Sequence, residues 1–298
     1  MKALLLVALT GLFALPAAAA DSKRLVMLAG RVSHGRGEHE FRAGCLLLQQ
    51  SLAPVPALRV EVYTNGWPVK VVDGKTVDDN SVFEGADGVF MYADGGGGHP
   101  AIVPSRLKVI DGLAARGAGV GCAHYAVEVP AGDPGFAMLR WTGGYFEMFW
   151  SVNPHWVAGF TNLPVHPVTR GVNPFKINDE WYYHMKFMPA MTGVTPILSA
   201  LPPARTAGPN GPHSGNPWVR DAVAKGQSQP VMWTYDRPGG GRGFGFTGGH
   251  FHRNWENDDF RKVVLNSLVW MTGLEVPAGG IASTVTPGQL KANLDTKK

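Results

Sequence analysis

Short apolar runs that end in glycine or histidine, with helical stretches between them, constrain the fold of this chain more than any other feature. Residues 24–30 (RLVMLAG) form such a run, the pattern of a strand buried on both faces of a parallel sheet. Residues 31–37 (RVSHGRG) read as a loop, and residues 38–52 as a helix. Phe41, Cys45, Leu48 and Leu52 make one apolar face of that helix. Glu38 and Glu40 suit its first turn, and Pro54 and Pro56 end it. Residues 58–63 (LRVEVY) and 88–92 (GVFMY) read as the second and third strands, with residues 65–81 as a loop between them. A second helix over 105–116 carries the stripe Leu107, Ile110 and Ala114, and Gly117 stops it. Residues 119–123 form a fourth strand, and His124 follows at once. The order β-α-β-β-α-β predicts a mainly parallel sheet flanked by helices. Ligands of such a sheet bind beyond the carboxyl ends of its strands.

The first twenty residues have a separate logic. Lys2, an apolar run from Ala3 to Leu15, Pro16 and then alanines at 17–20 make a secretory signal peptide, with cleavage expected after Ala20. The expected location is therefore the bacterial periplasm or the medium. The apolar run is short for a bilayer span, and no other segment is apolar enough to cross one after cleavage. Residues 21–275 read as a single α/β domain, and 276–298 as a polar, poorly ordered tail. The formal net charge of +4 is scattered with no basic stripe, so a nucleic-acid partner is not expected. A homodimer is compatible with the general habit of soluble proteins. Cys45 and Cys122 lie in apolar segments and read as buried free thiols.

The rest of the chain is less regular. Residues 136–156 are rich in glycine and aromatics, 165–187 contain NDEWYYHMKF, which reads as a strand, and 202–218 form a long aperiodic excursion. Residues 230–235 and 242–250 read as paired strands around the turn DRPGGG. Residues 258–271 form a helix with Phe260, Val264, Leu268 and Met271 on one face, capped by Asn257 or Asp258.

Histidines gather after the strands. His34 and His39 follow the first, His99 the third, His124 the fourth, and His250 and His252 the last. Histidine transfers protons near neutral pH and ligates metals when neutral. His34, His99, His124 and His250 are therefore a candidate metal set, with zinc or manganese as the metal. His39 falls on the expected first turn of a helix, where a surface role is as good a reading. Gly95–Gly98 offers backbone N–H groups that could cradle an oxyanion, or a plain surface loop. Glu128 reads equally well as helix surface. His124 sits at a strand-to-helix corner, where related folds hold a nucleophile. Asp179, Glu180 and His184 share NDEWYYHM with Trp181, and aromatics beside carboxylates suit a sugar. Four residues apart, Glu180 and His184 are expected on one side of a strand. The catalytic candidates are His124, Glu180 and His250. The substrate-binding candidates are His34, His99, Tyr125, Trp181 and His184. His155, His166 and His213 lie in proline-rich loops and carry no claim.

The stretches LAGRVSHGRGEHEFRAG, GCAHYAVEVP, NDEWYYHM and TGGHFHRNWENDDFRKVVLNSLVWMTG together resemble ThuA-like (trehalose utilisation) proteins. These belong to the class I glutamine amidotransferase-like superfamily. The resemblance covers residues 24–274 and implies a flavodoxin-like, three-layer α/β/α fold. Working amidotransferases carry a cysteine in a G-x-C-x-G elbow after the fourth strand. Here the elbow reads Gly121-Cys122-Ala123-His124-Tyr125-Ala126, which puts His124 at the nucleophile position. His250 matches the late histidine of the superfamily, but no Pro-Glu follows it. Glutamine hydrolysis is therefore not expected. The family's link to trehalose and keto-sugar metabolism implies a lyase or hydrolase acting on a trehalose-like or 3-keto sugar. His124 and Glu180 would be its acid/base pair. The alternatives are a periplasmic sugar-binding protein without chemistry, and a metal-dependent hydrolase of another small substrate.

Overall fold

A computed structural model describes residues 22–297; the expected signal peptide lies outside them. In chain order the elements are β1 (Lys23–Ala29), α1 (Phe41–Leu52), β2 (Leu58–Tyr63), β3 (Val69–Val72), β4 (Lys75–Asp78), β5 (Gly88–Tyr92), α2 (Pro104–Ala115), β6 (Gly119–Ala123) and α3 (Asp133–Thr142). There follow β7 (Gly144–Tyr145), β8 (His155–Phe160), β9 (Phe175–Glu180), β10 (Lys186–Phe187), β11 (Val194–Ala200), α4 (Pro217–Ala224), β12 (Gln229–Asp236), β13 (Arg242–Phe246), α5 (Asp258–Met271) and α6 (Pro287–Lys291).

Seven strands form the central sheet in the order β11-β12-β13-β6-β5-β1-β2. Five of them pair in parallel, and at one edge β12 runs antiparallel to both of its neighbours, β13 and β11. Ranked by position in the chain, the parallel strands follow 2-1-3-4-5, the flavodoxin-like order. β1, β5 and β6 are almost wholly apolar and buried, as strands covered on both faces must be. Phe41 and Leu48 of α1 pack with Phe260, Val264 and Leu268 of α5 on one face. Ile110 and Leu113 of α2 pack with Met138 and Trp141 of α3 on the other. The result is a three-layer α/β/α sandwich. No helix among the described residues is long and apolar enough to cross a membrane.

Several local expectations are revised. Residues 65–81 contain a β-hairpin, β3 with β4, whose turn residues Asp73 and Gly74 both have positive φ, as a tight two-residue connection requires. β8, β11 and α4 carry too little periodicity to be read in advance. The first helix begins at Phe41, three residues later than expected, so Glu38 and Glu40 precede it. Glu40 is fully buried. It accepts the Asp295 backbone N–H at 2.8 Å and pairs with the Lys297 ammonium at 3.4 Å. Residues 276–297 are thus not a loose polar tail. They fold back over the start of α1, with α6 opened by a Thr286–Gln289 capping box.

Candidate functional site: four convergent ligand atoms

The carboxyl ends of β1, β5, β6 and β13 meet at one place, and each sends a side chain into it. His39 lies in the connection from β1 to α1, Asp94 follows β5, His124 follows β6 and His250 follows β13. Glu180 joins them from the end of β9. His39 and His124 hold positive φ of 46° and 53°, a conformation that costs free energy in a non-glycine residue and clusters at functional sites. At His124 it turns the chain sharply out of the strand, so the ring points back across the sheet edge. His39, His124 and His250 are all buried.

Four atoms converge. His39 Nε2 is 2.9 Å from His124 Nε2 and 3.1 Å from His250 Nδ1. Glu180 Oε2 is 3.1 Å from His250 Nδ1 and 3.5 Å from His124 Nε2. Outer partners decide where the protons are. His124 Nδ1 lies 3.0 Å from the Thr247 carbonyl, which can only accept, so Nδ1 carries the hydrogen. His39 Nδ1 faces the Asp94 carboxylate at 3.2 Å and donates likewise. In a neutral imidazole the other nitrogen is then a bare acceptor. Burial favours the neutral forms. It pulls His39 down to about 2, helped by His34 and His250, and it pulls His124 well below the usual histidine range. Two lone pairs therefore face each other at 2.9 Å with no proton between them.

That arrangement is unfavourable for an empty pocket and suited to a cation. Ligands about 2.0–2.1 Å from a tetrahedral zinc stand about 3.3 Å from one another, close to the spacings here. Ring N–H groups tied back to a carbonyl and a carboxylate match the way metal-bound histidines are oriented. The donor set of three imidazoles and one carboxylate suits zinc or manganese.

Further contacts hold the frame. Asp179 is fully buried and accepts backbone N–H groups from Gly249 at 2.8 Å and His250 at 3.0 Å, and the Asn254 amide at 2.9 Å. It fastens the exit of β13 to the end of β9, and so sets Glu180 against His250. Burial opposes a charge on His250, but its hydrogen bond to Glu180 prevails and raises its pKa. The same bond, with His124 adding to it, outweighs burial at Glu180 and lowers its pKa. Tyr182 Oη lies 3.3 Å from both His124 Nε2 and Glu180 Oε2. The open side is rimmed by His34, stacked on His39 at 3.5 Å, by Glu38, and by His155 against His250 at 4.8 Å.

A family model described as ThuA, trehalose utilisation, matches residues 55–271. The chain belongs to the ThuA family. Among solved structures, it is similar to one described as that of a thua-like protein from Bacteroides uniformis, at 14% identity and TM-score 0.58. The match covers 87% of this chain and 95% of that one. It is also similar to the mmIFT52 N-terminal domain, at 9% identity and TM-score 0.52, covering 86% of this chain and 100% of that one. At such identities the likeness is one of fold. No curated protein matches the chain.

Within this ThuA-family site the sequence-derived residues divide. His124, His250 and Glu180 stand at its centre, His34 at its rim, and Tyr125 beside it with its ring 6.0 Å from His39. Burial first, then the Glu128 charge, raises the Tyr125 hydroxyl to about 12. His99 lines a separate groove, where Nδ1 accepts the Ala101 N–H at 3.1 Å. Trp181 packs in the core against Phe160, Phe246 and Phe260. β9 ends at Glu180, so the expected shared side with His184 is not formed; His184 Nδ1 instead meets the Trp150 carbonyl at 2.9 Å. His252 turns to the Leu290 carbonyl at 2.9 Å. Gly95 packs where a Cβ would meet the Tyr125 carbonyl oxygen at 2.1 Å, so this glycine serves close packing. The decisive omission from the sequence reading is His39. Its helix was expected to start at Glu38, yet the apolar stripe itself begins at Phe41, which places His39 in the preceding turn. His155 and His213, without a claim in the sequence, both face site carboxylates.

Proposed function

We propose that this protein is a metal-dependent enzyme of sugar metabolism, with His39, His124, His250 and Glu180 as the metal ligands and a 3-keto disaccharide of the trehalose type as substrate. The observation that carries the metal is the pair of bare Nε2 atoms 2.9 Å apart, each opposed by a fixed N–H on the far side of its ring. Family membership carries the substrate class. A metal in this site would act as a Lewis acid on the substrate carbonyl and stabilise the charge that develops when an adjacent C–H proton leaves. His124 and Glu180, expected as an acid/base pair, serve better as ligands on this reading. His124 is fully buried, with Nδ1 tied to the Thr247 carbonyl and Nε2 turned into the cluster, so it has neither nitrogen to offer a sugar. His34, Tyr125 and His155 line the approach, where they can hydrogen-bond sugar hydroxyls. Glutamine hydrolysis finds no support, because Cys122 is buried inside β6 and burial pushes its thiol pKa up. Export by the N-terminal signal is part of the proposal, and N-terminal sequencing of the secreted protein tests it.

The enzyme reading is tested with purified protein as isolated, after chelation, and after addition of zinc or manganese. Turnover of 3-ketotrehalose that chelation abolishes and metal restores is the expected outcome. Metal-loaded protein that binds the sugar and releases it unchanged would make the chain a sugar-binding protein.

A further inference from the structure

A second histidine–carboxylate pair stands apart from the four ligand atoms. Glu128 follows the short turn after β6 and is 2% exposed. Its two carboxylate oxygens lie 3.0 and 3.2 Å from His213 Nε2, and no other hydrogen bond to them occurs among the described residues. His213 comes from the aperiodic excursion, far away in sequence. Its ring is about one-third exposed and stacks on Phe146 at 5.4 Å. Nε2 is committed to Glu128, and Nδ1 has no hydrogen-bond partner among the described residues.

Two chains of contact run from this pair to the histidine cluster. Phe146 also packs against Tyr182 at 5.4 Å, and the Tyr182 hydroxyl touches both His124 and Glu180. Asn153 donates its backbone N–H to the His213 carbonyl at 3.1 Å and its side-chain amide to Glu180 Oε1 at 3.2 Å. His213, Asn153, Arg205 and Ser214 line a cleft of about 390 Å³ there. Burying a carboxylate is costly unless it is paired, and among the described residues its one hydrogen-bond partner is a partly exposed ring. One nitrogen held by a buried acid and the other free is the geometry of a general acid/base.

We propose that Glu128 and His213 form a proton-transfer centre serving the sugar bound at the histidine cluster, with His213 Nδ1 as the atom that moves the proton. The inference rests on the keto-sugar reading of the site. The step balances with one proton. The C2–H bond beside the C3 carbonyl breaks, the proton goes to His213 Nδ1, and the electron pair forms an enolate. Its collapse makes the C1–C2 double bond, restores the carbonyl and breaks the C1–O glycosidic bond. The departing oxygen takes the proton back from His213, which leaves a free sugar and an unsaturated keto sugar. Glu128 holds the ring in one tautomer and stabilises its charged form meanwhile.

The test uses the full chain with His213→Gln, His213→Gly and Glu128→Gln, each loaded with metal. 3-Ketotrehalose is followed by NMR in deuterated water, which reads both C2 proton exchange and cleavage. His213→Gln is expected to lose about 10²–10⁴-fold in both at unchanged metal content, with added imidazole restoring part of the rate to His213→Gly. Glu128→Gln should lose less. Wild-type rates in metal-loaded His213→Gln overturn this proposal and leave the metal reading intact. A metal-loaded wild type that neither exchanges nor cleaves the sugar overturns both.

Discussion

Two groups of histidine and carboxylate lie within a few residues of one another here, and they are built on opposite plans. In the inner group, His39 and His124 turn bare Nε2 atoms toward a common point with their ring protons held outward by Asp94 and Thr247, and His250 and Glu180 face the same point across a hydrogen bond of their own. In the outer group, His213 and Glu128 face each other as donor and acceptor, with a proton between them. The three inner rings are buried, and no proton lies between His39 Nε2 and His124 Nε2. The outer ring is partly open to solvent. The same residue types therefore suit a cation in one place and a moving proton in the other. The difference comes from where the second ring nitrogen is tied, since the residue types are the same in both.

The largest effect that separates the two should come from His124→Ala. Removing one of the facing nitrogens should take metal content from near one equivalent to near zero by mass spectrometry, whereas His213→Gln should leave it unchanged. Equal loss in both variants would erase the distinction. A smaller effect is expected from Asp94→Asn, which disturbs the ring orientation of His39 without removing a ligand. Metal affinity should fall about 10–100-fold in a competition titration with a chelator, and an unchanged affinity would mean that Asp94 does not orient His39. The smallest concerns Cys122, two residues before His124 and wholly buried as a free thiol. Native protein should not react with a thiol reagent at neutral pH, and both cysteines should react after denaturation. Rapid labelling of native Cys122 would open a route to thiol chemistry at the elbow, and blur the line between the inner group and an amidotransferase site.

The inner group was partly legible in the residues. His124 follows an apolar run directly and His250 follows one after Thr247, Gly248 and Gly249, and the alternation of elements puts both at the carboxyl end of a parallel sheet. Glu180 was legible as an acid among aromatics. His39 reads evenly between site and surface as long as the helix is taken to start at Glu38, and the true start at Phe41 is what decides for the site. The outer group was illegible. His213 sits in a segment with no period, and its partner is 85 positions away. Trp181 and His184 were misassigned because the strand ends at Glu180, and after it neighbouring side chains need not alternate.

The helices and strands of the parallel sheet, the layers they form, the buried thiols and the strand-end location of a site follow from local pattern, because period and apolarity report which faces must be covered. Which ring nitrogen points inward does not follow. Nor does the return of residues 276–297 onto Glu40, nor the pairing of Glu128 with His213. Those depend on backbone turns at single residues and on partners distant in the chain. Only the packed sheet, with its strands in the order 2-1-3-4-5, brings them within hydrogen-bond reach.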